Sequence, residues 1–160
     1  IADPYLPPSD FLNAVIADEL PIGAGVHGAA NLKRLIAMTR DQDLANRDWA
    51  TFLLAQQEID SPDVLGALLA AADDESGFVR AEAILGLAQR DKAQALPLIH
   101  RELERDSVAV GVFEAAELVA DSSLIEPLRP FSEPSGDSFL DKAALDALKA
   151  CEGTAKPRET

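Results

Sequence analysis

DESGFVRAEAILGLAQRDKAQALPLIHRELER, Asp74 to Arg105, reads as two helical stripes separated by a short polar break. Ala83, Leu87 and Ala88 recur at helical spacing in the first, and Leu96, Ile99 and Leu103 do so in the second. A pair of this kind cannot bury its own apolar face. It has to stack on something similar.

The rest of the chain supplies that partner. Leu32, Leu35 and Ile36, followed by Asp41, return 33 positions later as Leu65, Leu68 and Leu69, followed by Asp74. They return again as Leu96, Ile99, His100 and Leu103, followed by Asp106, and in shortened form as Ile125 and Leu128. Between them runs a second set. Arg47, Ala50, Leu54, Ala55 and Gln56 match Arg80, Ala83, Leu87, Ala88 and Gln89, and more loosely Val112, Ala115, Val119 and Ala120. Phe139, Leu140, Ala144 and Leu148 match Phe78, Val79, Ala83 and Leu87. Each repeat is therefore an A helix followed by a B helix. The implied fold is all-α, a short α-solenoid (α-α superhelix) of stacked helix pairs, with the leucine register of the B helices buried. Ser61-Pro62 suits a B-helix start, and Asp41, Asp74 and Asp106 are placed to cap the A helices that follow.

Composition agrees. The 160 residues are 48% hydrophobic, mostly Ala and Leu, and only 5% aromatic, which favours helix over pleated sheet. Residues 1–28 read as an N-terminal helix and glycine-rich linker capping the stack, residues 29–151 as the repeat domain, and residues 152–160 as a flexible tail. Ser9 is the expected cap of the first helix, whose stripe of Phe11, Leu12, Val15, Ile16 and Leu20 runs to Pro21.

The Asp74–Arg105 copy resembles HEAT-like repeats of the phycobilisome-lyase type in its Asp, Val79-Arg80, Ala83, Leu85-Gly86 and second-helix leucine pattern. The likeness covers about residues 29 to 150. The Val-Arg pair becomes Asn46-Arg47, Gly111-Val112 and Leu140-Asp141 in the other copies. What the resemblance implies for the repeat arginine, a bond to an aspartate in an adjacent inter-helix turn, is thus carried only to Arg47 and Arg80. It also implies that the B helices line the concave face. Their outward positions are Lys33, Arg34 and Ala37, then Gly66, Ala67 and Ala70, then Pro97, Leu98 and Arg101. The expected groove is small-sided at its centre with cations at both ends.

Charge excludes some partners. With 14 Lys+Arg against 28 Asp+Glu the formal charge is -14, which opposes nucleic acid and anionic membranes. The A segments carry the excess acid, while in the B segments Lys33, Arg34, Arg40, Arg101, Arg105 and Arg129 offset Asp63, Asp73, Asp74, Glu102, Glu104 and Glu126. No apolar run is long enough to span a bilayer, and no leader precedes Asp3, although a chain beginning at Ile1 is expected to have been trimmed. The single cysteine, Cys151, fits a reducing, cytoplasmic setting.

Chemistry-bearing motifs are sparse. Gly23, Gly25 and Gly28 spell G-x-G-x-x-G, but no strand enters them, so a linker is the better reading than a nucleotide site. His100 stands where Ile36 and Leu69 stand in sister copies and should pack at the core edge. His27 and Cys151 complete no metal or nucleophile pattern, and Glu102, Glu104, Glu114 and Glu117 read as solvated faces. No enzyme activity, cofactor or metal is expected. Trp49 and Phe52 put aromatics where sister copies have Glu82, Glu114 and Glu117. Either the N-terminal segment with Tyr5, Leu6 and Phe11 covers them or they form an interface. The expected function is a protein- or peptide-binding scaffold using the concave face. The alternatives are an acidic inhibitor or immunity-type protein for a basic partner, or a bilin-lyase-like subunit handling tetrapyrroles.

Overall fold

The computed structural model describes residues 5–154. Among them every regular element is helical: α1 (Asp10–Ile16), α2 (Gly25–Met38), α3 (Leu44–Gln56), α4 (Pro62–Ala71), α5 (Gly77–Ala88), α6 (Lys92–Leu103), α7 (Val110–Val119), α8 (Ile125–Leu128) and α9 (Ser138–Thr154). Single 3-10 turns at Ser122–Leu124 and Arg129–Ser132 flank α8. The fold is all-α with the helix order of a short α-solenoid. B helices are α2, α4, α6 and the short α8; A helices are α3, α5, α7 and α9.

Local chemistry sets the helix starts. The Ser9 hydroxyl accepts from the Leu12 N–H (3.3 Å), and that of Ser61 from the Val64 N–H (3.3 Å), with Pro62 at the first helical position, where its missing donor costs nothing. The repeat aspartates behave differently from expectation. Asp43, not Asp41, caps α3, accepting from the Asn46 N–H at 3.0 Å, while Asp41 accepts from the Asp43 N–H (3.1 Å) and Asn46 Nδ2 (3.0 Å). Asp106 caps nothing either, because α7 starts after Ala109 without a side-chain cap. An aspartate just ahead of a helix bonds two residues on, in an Asx turn, before it can reach the helix itself. Likewise α1 ends at Ile16, before Leu20, with Asp18 in the left-handed region at φ 58°. The linker is shorter than expected too, since α2 takes in Gly25 to Gly28.

The chain forms two compact units that divide within α5, after Gly86. In the first, α1, α2 and α4 pack on α3. Leu12, Leu35, Leu54, Val64, Leu68 and Ile84 are fully buried there, each leucine contributing about 1.5–3 kcal/mol. An added Cβ on Gly86 would lie 2.9 Å from Ala55 Cβ, so α5 reaches α3 at a distance only glycine allows. The buried register is narrower than the leucine pattern suggested. Leu35 and Leu68 are covered, but Leu32, Ile36 and Leu65 are half-buried and Leu69 is exposed. A helix packed along one side keeps only the centre of its apolar stripe dry.

The repeat arginine holds this unit's turns. Arg47 Nη1 donates to the carbonyls of Asp41 (3.2 Å) and Gln42 (3.3 Å), while Nε and Nη2 grip the Asp74 carboxylate at 2.9 and 3.3 Å. Arg80, 33 positions on, gives the same two bonds to the carbonyls of Asp74 (3.0 Å) and Glu75 (3.1 Å). Arg47 and Asp74 are both nearly buried, so this bidentate pair is shielded from solvent screening.

In the second unit α7 packs on α6 and α9, and α9 covers α8 and its flanking turns. Phe113 is fully buried and meets the Phe131 ring edge-on at 5.2 Å. Pro127 and Pro130 interrupt the fourth B segment by removing donors, which is why it survives only as one helical turn between 3-10 turns. The last helix runs through Glu152 and Gly153 to Thr154, whose hydroxyl donates to the carbonyl of Cys151 (2.9 Å) and to that of Ala120. The remainder of the expected tail, residues 155–160, lies outside the described residues, as do residues 1–4.

Candidate functional site

A cleft of about 870 Å³ opens between the two B helices of the first unit. Its α2 wall is Ala29, Leu32, Lys33, Ile36 and Ala37, continued by Thr39 and Arg40, and its α4 wall is Ser61, Asp63, Gly66 and Ala67. On α2 these positions follow the i, i+3, i+4 spacing, one stripe beside the buried one that holds Leu35. Leu32 and Ile36, read from sequence as core, are its apolar surface. The α4 wall is low because Gly66 has no side chain and Ala67 only a methyl group.

Two cations stand in this wall without partners. Neither Lys33 nor Arg40 has a carboxylate within ion-pair distance among the described residues, and Asp63 is the one acid in the lining.

Of the nine groove positions expected from sequence, the cleft contains Lys33, Ala37, Gly66 and Ala67. Ala70 is half-buried outside the lining. Arg34 points elsewhere. Its guanidinium lies 4.3 Å from the centre of the buried Phe11 ring, a cation–π contact that ties α2 to α1. Leu98 and Arg101 belong to the second unit, both half-buried, and Arg101 Nε lies 3.8 Å from the Glu102 carboxylate. The sequence reading missed Leu32, Ile36 and Arg40 as lining; Arg40 was visible as the next member of the Lys33, Ala37 stripe.

At Trp49 the N-terminal segment makes real contacts. Tyr5 stacks on the indole at 6.4 Å, Trp49 Nε1 donates to the Tyr5 carbonyl (3.2 Å), and the Tyr5 hydroxyl donates to Asp48 (3.3 Å). Phe52 meets Trp49 edge-on at 5.7 Å and stays 36% exposed. Burial raises the Asp48 carboxyl above the usual aspartate range, against the lowering effect of the Tyr5 bond.

Several of the remaining chemical groups are structurally engaged, while His27 is exposed. Gly23 donates its N–H to the Gly28 carbonyl at 2.8 Å, and a Cβ on Gly28 would come within 3.1 Å of Gly23 backbone, so the glycine triplet closes on itself. His100 Nε2 bonds Ser123 Oγ at 2.9 Å. Cys151 is buried against the Ala116 carbonyl, and that burial raises its thiol pKa. Glu102 departs from its expected solvated position. It is 2% exposed, with Arg105 Nε donating to it at 2.5 Å. Among the described residues no three His, Cys, Asp or Glu side chains converge as a metal site would require, and no helix is long and apolar enough to cross a membrane.

These helix pairs, with their recurrent arginine and open B-helix face, define a repeat protein of the HEAT class. The HEAT-repeat family model matches residues 32–120, and the chain belongs to that family. Among curated proteins it is similar to Protein YibA of Escherichia coli strain K12 and of Escherichia coli O157:H7, each 27% identical over 124 residues. Those alignments span 78% of this chain and 44% of YibA, so the chain covers less than half of that relative's length. The X-ray structure of Escherichia coli YibA superposes with a TM-score of 0.58 at 27% identity, over 78% of this chain and 45% of the other.

Proposed function

We propose that this chain is a non-enzymatic binding module that takes a peptide or protein segment on its B-helix face, through the α2–α4 cleft. HEAT-repeat scaffolds support binding by surface shape in general. One observation favours this particular surface: a hollow of about 870 Å³ whose two cations have no carboxylate within ion-pair distance among the described residues. Lys33, Ala37 and Ala67 are its contact residues in this reading, with Leu32, Ile36 and Arg40 added. Arg34, Ala70, Leu98 and Arg101 do not line it. The half-exposed Trp49–Phe52 edge is a secondary contact candidate. The lone buried thiol fits a reducing, cytoplasmic setting.

Selection from a displayed peptide library tests the reading. Enriched peptides should bind the native chain and lose affinity for Ala67→Trp, which fills the hollow. Retention of all binding by that variant removes the cleft from consideration.

The formal charge of -14 supports a second reading, capture of a basic protein by the acidic A-helix surface. Binding of that kind weakens steeply with salt and is indifferent to Ala67→Trp. The tetrapyrrole alternative draws only on the phycobilisome-lyase likeness of Asp74–Arg105. A new absorbance band on mixing with a bilin or haem tests it.

A further inference from the structure

Resting on the cleft reading above, we infer that the occupant is an amphipathic helix with carboxylates at positions i and i+7 of one face and apolar side chains at i+3 and i+4 between them. The spacing of the two unpartnered cations carries this. Lys33 lies in α2 and Arg40 in the turn two residues past its end at Met38, seven residues apart along one wall, which separates them by roughly 10 Å. A helix lying along α2 repeats that distance between i and i+7. An extended segment presents same-face residues at intervals of about 6.6 or 13 Å, neither of which equals that separation.

Shape and charge agree. Between the cations the wall is Ile36 and Ala37, facing Gly66 and Ala67 across the cleft. A Cβ added at Gly66 would meet nothing within 4 Å, so the α4 side leaves room for a helix backbone to settle between two others. A basic helix would meet two like charges. An acidic one finds two cations on a chain whose formal charge is -14, which makes this cleft a local exception to the surrounding field.

The experiment uses stapled helical peptides of about 15 residues, a length at which unstapled helices are marginal. One series carries Glu at i and i+7 with Leu, Ile, Phe or Met at i+3 and i+4. Matched series carry Gln or Lys at i and i+7, or Glu at i and i+5. Fluorescence anisotropy against the full chain should show binding by the i, i+7 Glu series and a loss of about tenfold for Gln. Lys33→Glu with Arg40→Glu should lose at least as much for the Glu series and gain affinity for the Lys series. Both residues are exposed, and Lys33→Gln with Arg40→Gln gives a milder pair if the double reversal disturbs folding. Equal affinity for Glu and Gln, equal affinity for the i+5 series, or no binding by any series overturns the inference. So does concentration-dependent self-association abolished by Ala67→Trp, which would make a second copy the occupant. If library peptides still require the open cleft while these helices fail, the occupant is wrong and the cleft reading stands. If all binding survives Ala67→Trp, both fall.

Discussion

Two B helices from different copies of the repeat use their cations in opposite ways. On and just after α2, in the first unit, Lys33 and Arg40 stand beside an open wall with no carboxylate within ion-pair distance among the described residues. On and just after α6, in the second, Arg105 and Arg101 are drawn to Glu102, an acid buried where the sister helix α4 has Ala71. A carboxylate in an apolar register position has to recruit the nearest guanidinium groups, because an unpaired buried charge costs several kcal/mol. The lesson is that a shared repeat does not distribute function evenly. Cations neutralised inside one copy are unavailable for a ligand, and those left over in another mark where a ligand can be held.

Stability measurements can break this contrast. The largest effect is expected for Arg47→Ala, which leaves Asp74 and the Asp41 and Gln42 carbonyls short of donors and should lower stability by about 3 kcal/mol in chemical denaturation. A loss below about 0.5 kcal/mol, the level of an ordinary surface change, would show that the repeat arginine is ornamental. Next comes Arg105→Ala, which removes the nearest guanidinium from the buried Glu102 carboxylate and should cost about 2 kcal/mol, whereas Glu102→Leu should be neutral or stabilising. If Glu102→Leu is the worse of the two, the arginines are not serving that acid.

Thr51 gives a smaller and opposite effect. It is fully buried in α3 and its hydroxyl has no hydrogen-bond partner among the described residues, while the matching position 33 residues on is the buried Ile84. Thr51→Val should therefore stabilise by about 1 kcal/mol. Asp48 adds a pH signature. Its folded pKa is raised by burial, so its favourable contribution is present below the unfolded aspartate pKa of 3.8 and is lost as pH climbs through the higher folded value. Asp48→Asn should accordingly raise the melting temperature at neutral pH and leave it unchanged near pH 3. A constant difference at both pH values would remove burial of the charge as the cause. Smallest of all, Lys33→Ala and Arg40→Ala should change stability by less than about 0.5 kcal/mol, because neither holds anything inside the fold.

Much of this architecture was legible from the spacing of leucines and arginines. The 33-residue offset placed Arg47 and Arg80 in equivalent helices, and their bonds to equivalent turn carbonyls follow from it. Ser9 was readable as a cap and Ser61-Pro62 as a helix start because helix starts are decided within three residues. The errors of burial share one physical origin. Periodicity states which side chains share a helix face but not which neighbour covers that face, so Leu32 and Ile36 were assigned to a core that stops at Leu35. Arg34 escaped for the same reason. Its partner, Phe11, lies in α1, outside the repeat, where no internal copy shows the packing. Glu102 reads as one more acid on a solvated helix until α6 is seen to turn it inward.

The most direct test of the docking face is a 15N-HSQC titration of the full chain with a library-selected peptide. Chemical-shift changes should concentrate at Ala29–Arg40 and Ser61–Ala70, with the outer faces of α3 and α5 silent. Changes centred on Glu58, Glu75 and Glu82, with the α2–α4 wall unmoved, would contradict it and transfer binding to the acidic side.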